Sequence, residues 1–193
     1  GNNKILDELS KATNDISKGE LIQLDAIGNN KITLRNLEDI SYYKTGRLFE
    51  AAAKCGAILA DADPKYIKNI TNCSKNLGIV FQIKDDLLDY SDDSSVIGKP
   101  VFQDLKEGKV TYPFYFAYKN ADDLEKVKLE SFLGKKNINQ KNAFKLIKGL
   151  NGIKETEMLA LKYIKDAAKS ANLIEDKNIS KEMIELVNSA MYR

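Results

Sequence analysis

The chain has 193 residues, 43% hydrophobic and 30% charged, a length that predicts a single domain over residues 1–193. Its 30 Lys and Arg residues against 28 Asp and Glu leave a net charge of +2, which argues against a nucleic-acid partner. Histidine is absent, which excludes histidine bases and histidine-bound zinc, so any metal chemistry must use carboxylates.

The cysteines and the hydropathy pattern indicate an intracellular protein without a transmembrane segment. Cys55 and Cys73 stand far apart among apolar neighbours, which predicts two reduced core residues. No apolar run approaches the ~18–20 residues needed to cross a bilayer. Because the chain starts at Gly1 rather than Met, the choice between cytoplasm and organelle stays open.

Apolar residues recur at helical spacing between sparse Gly and Pro positions, so we predict an all-α chain. Three long helices come first: Lys4–Ile27, Thr33–Ala60 with Thr33 as N-cap, and a helix that follows the N-cap Asp63 and ends at Tyr90. Shorter helices are predicted at Tyr112–Lys119, Ala121–Phe132, Gln140–Leu150, Ile153–Ala171 and Ser180–Tyr192.

One long loop is predicted at Ser91–Lys109, between the long helices and the short ones. Gly98, Pro100 and Gly108 break helices there. Loops of this length within a compact domain are often functional. We therefore expect the loop to contribute to a site.

The third predicted helix ends in a cluster of polar and acidic residues. Four of them share one helical face because they stand at i, i+3, i+4 and i+7: Gln82, Asp85, Asp86 and Asp89. Clustered acids repel one another, so a positive partner is expected beside them. Carboxylate oxygens suit Mg²⁺, whose shell a substrate phosphate commonly completes. An acidic last turn that simply faces solvent is the alternative, and a DDxxD pattern alone does not decide between the two.

Lysines and a threonine elsewhere in the chain could supply the cations and the hydroxyl that would bind a diphosphate beside a metal ion. Lys44 and Thr45 are adjacent on the second predicted helix, while Lys99 and Lys109 lie in the long loop. A diphosphate needs cations and hydroxyls together with a metal ion, and these four residues are candidates. Each lysine taken singly also fits an ordinary surface position.

Together these motifs resemble the C-terminal part of the trans-isoprenyl (polyprenyl) diphosphate synthase family. The matching segments are Phe81–Asp89 for the second aspartate-rich motif, Gly98–Pro100 for Gly-Lys-Pro, Asp104–Pro113 for Asp-Leu-x-Glu-Gly-Lys-x-Thr-x-Pro, Lys44-Thr45 for the Lys-Thr pair, and Gly19–Gln23 for Gly-Glu-x-x-Gln. Phe102 and Gln103 depart from the family, in which many members have small residues there.

The resemblance implies an antiparallel helical bundle of the isoprenoid synthase type. It also implies Mg²⁺-dependent prenyl transfer, in which isopentenyl diphosphate extends an allylic prenyl diphosphate, by a protein that forms homodimers at full length. The family's first aspartate-rich motif has no counterpart in these residues, so we expect the N-terminal helices to be missing from this chain.

Site roles follow from the resemblance residue by residue. Asp85 would ligate Mg²⁺, with Asp86 and Asp89 as a second ligand or as partners that hold water. Lys44, Lys99 and Lys109 would pair with the allylic diphosphate. Thr45 and Gln82 would lie near the reacting carbons, where their dipoles favour a cation.

Two main hypotheses remain, with a third beside them. The chain is the C-terminal part of a catalytic prenyltransferase, inactive alone because it lacks the first motif, or it is a shortened non-catalytic subunit that partners a full-length synthase. Under the third hypothesis it is a helical bundle whose acidic face is incidental. The intact acidic face favours the first, because a purely structural subunit has no need of clustered acids.

Overall fold

The structure is a computed structural model that describes residues 2–90 and 101–192. The secondary structure of these two ranges is helical, without strands, which confirms the all-α prediction. The helices that they contain are α1 (Asn3–Asp25), α2 (Leu34–Ser41), α3 (Arg47–Leu59), α4 (Pro64–Leu88), α5 (Gln103–Lys106), α6 (Tyr112–Asn120), α7 (Asp123–Glu130), α8 (Gln140–Gly149), α9 (Gly152–Asn172) and α10 (Lys177–Ser189).

Short polar side chains fix where several helices begin. Thr33 Oγ1 accepts the amide N–H of Asn36 at 3.2 Å, and Asp63 Oδ1 accepts two first-turn amides at 2.8 and 2.9 Å, as expected of the predicted N-caps. The last helix begins at Lys177, earlier than the predicted Ser180. The reason is the Asp176 carboxylate, which accepts two amides of its first turn.

The second predicted helix is not continuous, which corrects the prediction of one helix from Thr33 to Ala60. A π-helical turn, Tyr42–Gly46, separates α2 from α3. The amide N–H of Arg47 points to the carbonyl of Tyr42, five residues earlier, which is the π-helical pattern. Such a turn contains one residue more than an α-helical turn, and helical periodicity in the sequence does not reveal it.

The predicted loop Ser91–Lys109 also needs a correction. Residues 91–100 lie outside the described residues, but a short helix, α5, follows them. Four residues are too few to form a helix from local propensity alone. Helix α5 is held instead by hydrogen bonds to Asp89, far away in sequence.

The chain divides into two compact units. The first contains the described residues up to Leu21, Asp39–Gln82 and those from Ala160 onward. One hydrophobic cluster of this unit brings together α4, α9 and α10 through Cys73, Leu77, Ala167, Ala171 and Val187. A second cluster unites Ala57, Ile70 and Ile174. The small residues in both clusters allow close packing of the helices that present them.

The second unit contains Ile22–Glu38 and Ile83–Leu159. Large side chains fill its interior, and the following ones are fully buried: Ile83, Tyr90, Leu105, Tyr112, Phe114, Leu129 and Ile147. Two glycines with positive φ meet within it, because the amide of Gly28 donates to the carbonyl of Gly108 at 2.8 Å. The prediction that residues 1–193 form one domain stays a prediction.

Both cysteines carry free thiols, but only Cys73 is a core residue. Burial raises the pKa of the Cys73 thiol to about 11, which keeps it protonated at neutral pH. Cys55 is half-buried, which corrects the prediction of two core cysteines: apolar neighbours in sequence occupy different faces of a helix.

Across the described ranges, no helix is both long and apolar enough to span a bilayer.

Candidate functional site

The acidic end of α4 differs in exposure from residue to residue. Asp85 and Asp86 lie in the last turn of α4, and Asp89 follows that turn. Asp85 and Asp89 are half-buried, whereas Asp86 keeps only 6% of its surface exposed. The three carboxylates therefore do not form an open, solvated acidic turn.

Asp89 holds the start of helix α5. Its Oδ1 accepts the amide N–H of Gln103 at 2.8 Å and its Oδ2 that of Asp104 at 3.2 Å, while its carbonyl accepts the amide of Phe102 at 2.7 Å. Burial, reinforced by the charge of Asp104, raises the pKa of Asp89 to about 6, although the two amide donors oppose the rise. Asp89 thus has a structural role at the start of α5 that the sequence pattern did not indicate.

Phe102 precedes α5 in a left-handed conformation, with φ at +61°. This region strongly favours glycine, which agrees with the small residues expected here from the resemblance. In this chain the Phe102 ring is buried and packs edge-on against Tyr90 at 5.4 Å between centroids. The burial of the ring compensates for the unfavourable backbone conformation.

The C-terminal end of the segment that contains α5 is also held by a hydrogen bond. The Thr111 hydroxyl donates to the Tyr90 hydroxyl at 3.1 Å, and both residues are buried. Tyr90 and Asp89 are adjacent, so two successive residues after α4 fasten the two ends of residues 102–111. The sequence pattern does not indicate this role for Tyr90.

Lys109 lies within residues 102–111, the segment that is held at both ends. Its Nζ lies 2.7 Å from Glu107 Oε2 and 3.5 Å from Asp104 Oδ1, and its amide donates to the Asp104 carbonyl at 2.9 Å. Burial lowers the pKa of Lys109, but the two carboxylates outweigh that effect and raise it above its usual value. Lys109 is therefore a fixed ammonium group.

In the first unit, the π-helical turn presents Lys44 and Thr45. The Thr45 hydroxyl donates to Gln82 Oε1 at 2.6 Å, and Lys44 Nζ lies 3.9 Å from Glu20 Oε2. Helix α1 approaches this turn closely, because a Cβ placed on Gly19 would lie 2.6 Å from the Lys44 amide nitrogen. Only glycine fits at that crossing.

The structure thus brings some of the predicted site residues together. Within the first unit the structure joins Thr45 to Gln82 by a hydrogen bond, and within the second it joins Asp89 to the segment that carries Lys109. Lys99 lies outside the described residues. Among residues 2–90 and 101–192, no three acidic or cysteine side chains are arranged to hold a metal ion.

Comparison with known proteins gives a consistent result. A family model described as polyprenyl synthetase matches residues 1–150. The octaprenyl diphosphate synthase of Escherichia coli K12 is 44% identical over 117 residues, 61% of this chain and 36% of its own. A prenyl transferase of Cyanidium caldarium is 33% identical over 189 residues, 98% of this chain and 57% of its own.

Solved structures show the same helical-bundle fold. A polyprenyl synthase from Caulobacter crescentus CB15, complexed with calcium and isoprenyl diphosphate, has a TM-score of 0.93 at 28% identity. A decaprenyl diphosphate synthase from Rhodobacter capsulatus has a TM-score of 0.92, also at 28% identity. Each comparison covers 100% of this chain but 60% of the solved one, so the chain spans less than two thirds of the length of these relatives.

Proposed function

The chain belongs to the polyprenyl synthetase family, and on that premise we propose that it serves in prenyl transfer, extending an allylic prenyl diphosphate with isopentenyl diphosphate. The observation that carries the proposal is the acidic end of α4, where three carboxylates stand within five residues despite their mutual repulsion. The names of its relatives, octaprenyl diphosphate synthase among them, support the reaction class.

Carboxylates of this kind fit Mg²⁺, a hard cation that takes oxygen ligands and keeps several waters. We assign the direct bond to Asp85, because both Asp89 oxygens already accept amide donors and Asp86 is almost fully buried. Asp86 and Asp89 are then left to hold the waters around the ion, the second of the two roles that the resemblance implies for them. When bound, Mg²⁺ would neutralise charge on the diphosphate and so favour its departure.

Three lysines pair with the diphosphate of the allylic substrate in this proposal: Lys44, Lys99 and Lys109. Ammonium groups bind phosphate oxygens as point charges. The raised pKa of Lys109 supports its part, because the group stays charged at any physiological pH.

Thr45 and Gln82 favour positive charge at the reacting carbons. The Thr45 hydroxyl donates its proton to Gln82 Oε1, so the lone pairs of the Thr45 oxygen point elsewhere. An oxygen dipole that is oriented before the reaction stabilises a developing cation without reorganisation. This pair is therefore suited to an allylic cation.

These 193 residues contain one DDxxD pattern, whereas the family resemblance implies two aspartate-rich motifs. We expect the residues alone to bind a Mg²⁺–diphosphate but to form little or no prenyl product. We also propose that the full-length form is a homodimer.

Calorimetric titration of the chain with an allylic prenyl diphosphate tests the proposal. Binding is expected to require Mg²⁺, to vanish in excess EDTA, and to weaken more than about tenfold in Asp85→Asn. Asp123→Asn is the matched control, because the Asp123 side chain on α7 is fully exposed. Binding that persists in EDTA, or that Asp85→Asn leaves unchanged, would contradict the proposal.

A further inference from the structure

A buried arginine directly follows the turn that carries Lys44 and Thr45. The Arg47 side chain is only 7% exposed, and it lies among carboxylates of two helices. Its Nη1 is 2.7 Å from Glu8 Oε1 and its Nε donates to Asp15 Oδ2 at 2.8 Å, both on α1. Glu50 Oε2 on α3 lies 3.8 Å from the same guanidinium.

The backbone of Arg47 also closes the turn. Its amide N–H points to the Tyr42 carbonyl, the bond that makes Tyr42–Gly46 π-helical. The Tyr42 hydroxyl donates to Glu50 Oε2 at 2.6 Å, so the first residue of the turn is tied to the acid beside Arg47. A single residue therefore closes the turn through its amide and anchors it to α1 through its side chain.

We propose that Arg47 is a positioning residue for Lys44 and Thr45, which fixes the rotation of the π-helical turn against α1. The inference rests on the proposed function, because it assumes that these two residues meet the substrate. π-Helical turns inside α-helices are frequent at functional sites, and this one must keep its extra residue in place.

Stability alone does not account for this cluster. Burying a guanidinium and a carboxylate removes both from water, and a buried ion pair is often no more stabilising than apolar residues of the same size. The best-attested use of such a pair is to select one register. The Arg47 guanidinium contacts Glu8 and Asp15 on α1, and Arg47 directly follows the last residue of the turn. These contacts therefore set the register of the turn against α1.

Lys54 offers a matched control within the same cluster. Its Nζ lies 2.6 Å from Glu8 Oε2, so it contacts the same acid as Arg47. It stands well along α3, away from the turn. Its removal should disturb the ion cluster but not the rotation of the turn.

Amide NMR spectra and pyrophosphate calorimetry of Arg47→Met and Lys54→Met test the proposal. In Arg47→Met we expect the amide signals of Lys44, Thr45 and Gly46 to shift and the affinity for pyrophosphate with MgCl₂ to fall about tenfold. Lys54→Met should leave those signals and that affinity unchanged. Arg47→Lys keeps the charge but lacks the planar guanidinium. Its amide shifts and its loss of affinity should therefore be intermediate between those of Arg47→Met and Lys54→Met.

If Arg47→Met does not fold, the double variant Glu8→Gln, Asp15→Asn removes the negative charges on α1 that hold the guanidinium and should shift the same amide signals. Unchanged signals in a folded variant would overturn the proposal, as would equal effects of Lys54→Met. Failure of the wild-type chain to bind pyrophosphate would instead count against the proposed function, while the amide shifts still decide whether Arg47 sets the turn.

Discussion

At the scale of single residues, Asp89 shows why a motif does not assign equal roles to its members. The spacing of the three aspartates predicts three metal partners on one face. In the structure both oxygens of Asp89 accept backbone donors, from Gln103 and Asp104. Those donors lie 14 and 15 residues downstream, beyond the reach of helical periodicity, so the local pattern could not reveal them.

Replacing Asp89 tests its structural role. Asp89→Ala leaves two partly buried amide donors without their acceptor, at a cost of about 1–3 kcal/mol for each. We expect the free energy of unfolding in urea to fall by about 2–6 kcal/mol. The exposed Glu157→Ala on α9 is the control and should stay within about 0.5 kcal/mol of wild type. An Asp89→Ala chain as stable as the control would mean that α5 is held by other contacts.

At the scale of helices, close approaches fix the π-helical turn from two sides. Gly19 of α1 leaves room for the Lys44 backbone, and Gly78 of α4 leaves room for Gly46. Gly19 opens the Gly-Glu-x-x-Gln motif, but neither glycine reveals its helix crossing in the sequence, because a glycine inside a helix looks like a weak point there. The structure gives it a packing reason.

A pair of glycine variants separates packing from propensity. A Cβ on Gly78 would lie 2.7 Å from Gly46 Cα, so Gly78→Ala forces α4 away and should lower stability by about 1–3 kcal/mol. Gly56 on α3 has nothing within 4 Å of such a Cβ, so Gly56→Ala should raise stability by about 0.5–1 kcal/mol. Thermal unfolding of both variants measures the difference, and a stabilising Gly78→Ala would refute the close crossing.

Local signals predicted most of the helices, and contacts distant in sequence account for the rest. Caps such as Asp63 and apolar periodicity depend on neighbouring residues, so α4 was predicted closely. Helix α5 depends on Asp89, and the π-helical turn depends on packing against α1, so neither was predicted. The site follows the same division: the sequence shows which types of residue the site contains, but it does not single out Arg47, whose partners on α1 lie 32 or more residues away.

At the scale of the whole molecule, the chain is organised as two compact units, each with its own part of the predicted chemistry. Lys44, Thr45 and Gln82 belong to the first unit, and Asp85 and Lys109 to the second. The matched relatives extend well beyond this chain, which covers 60% of the solved structures it resembles. The proposal therefore assigns metal and diphosphate binding to these residues and expects little turnover from them alone.

The location of the metal ion is the most direct test of the account. Mn²⁺, added in small amounts to the labelled chain with pyrophosphate, broadens the amide signals of nearby residues. The account predicts that the signals of Asp85 and Asp86 broaden first, well before those of Asp122 and Asp123, an adjacent acidic pair at the start of α7. Broadening that begins at α7, or that spreads evenly over all acidic surfaces, would contradict a metal site at the end of α4.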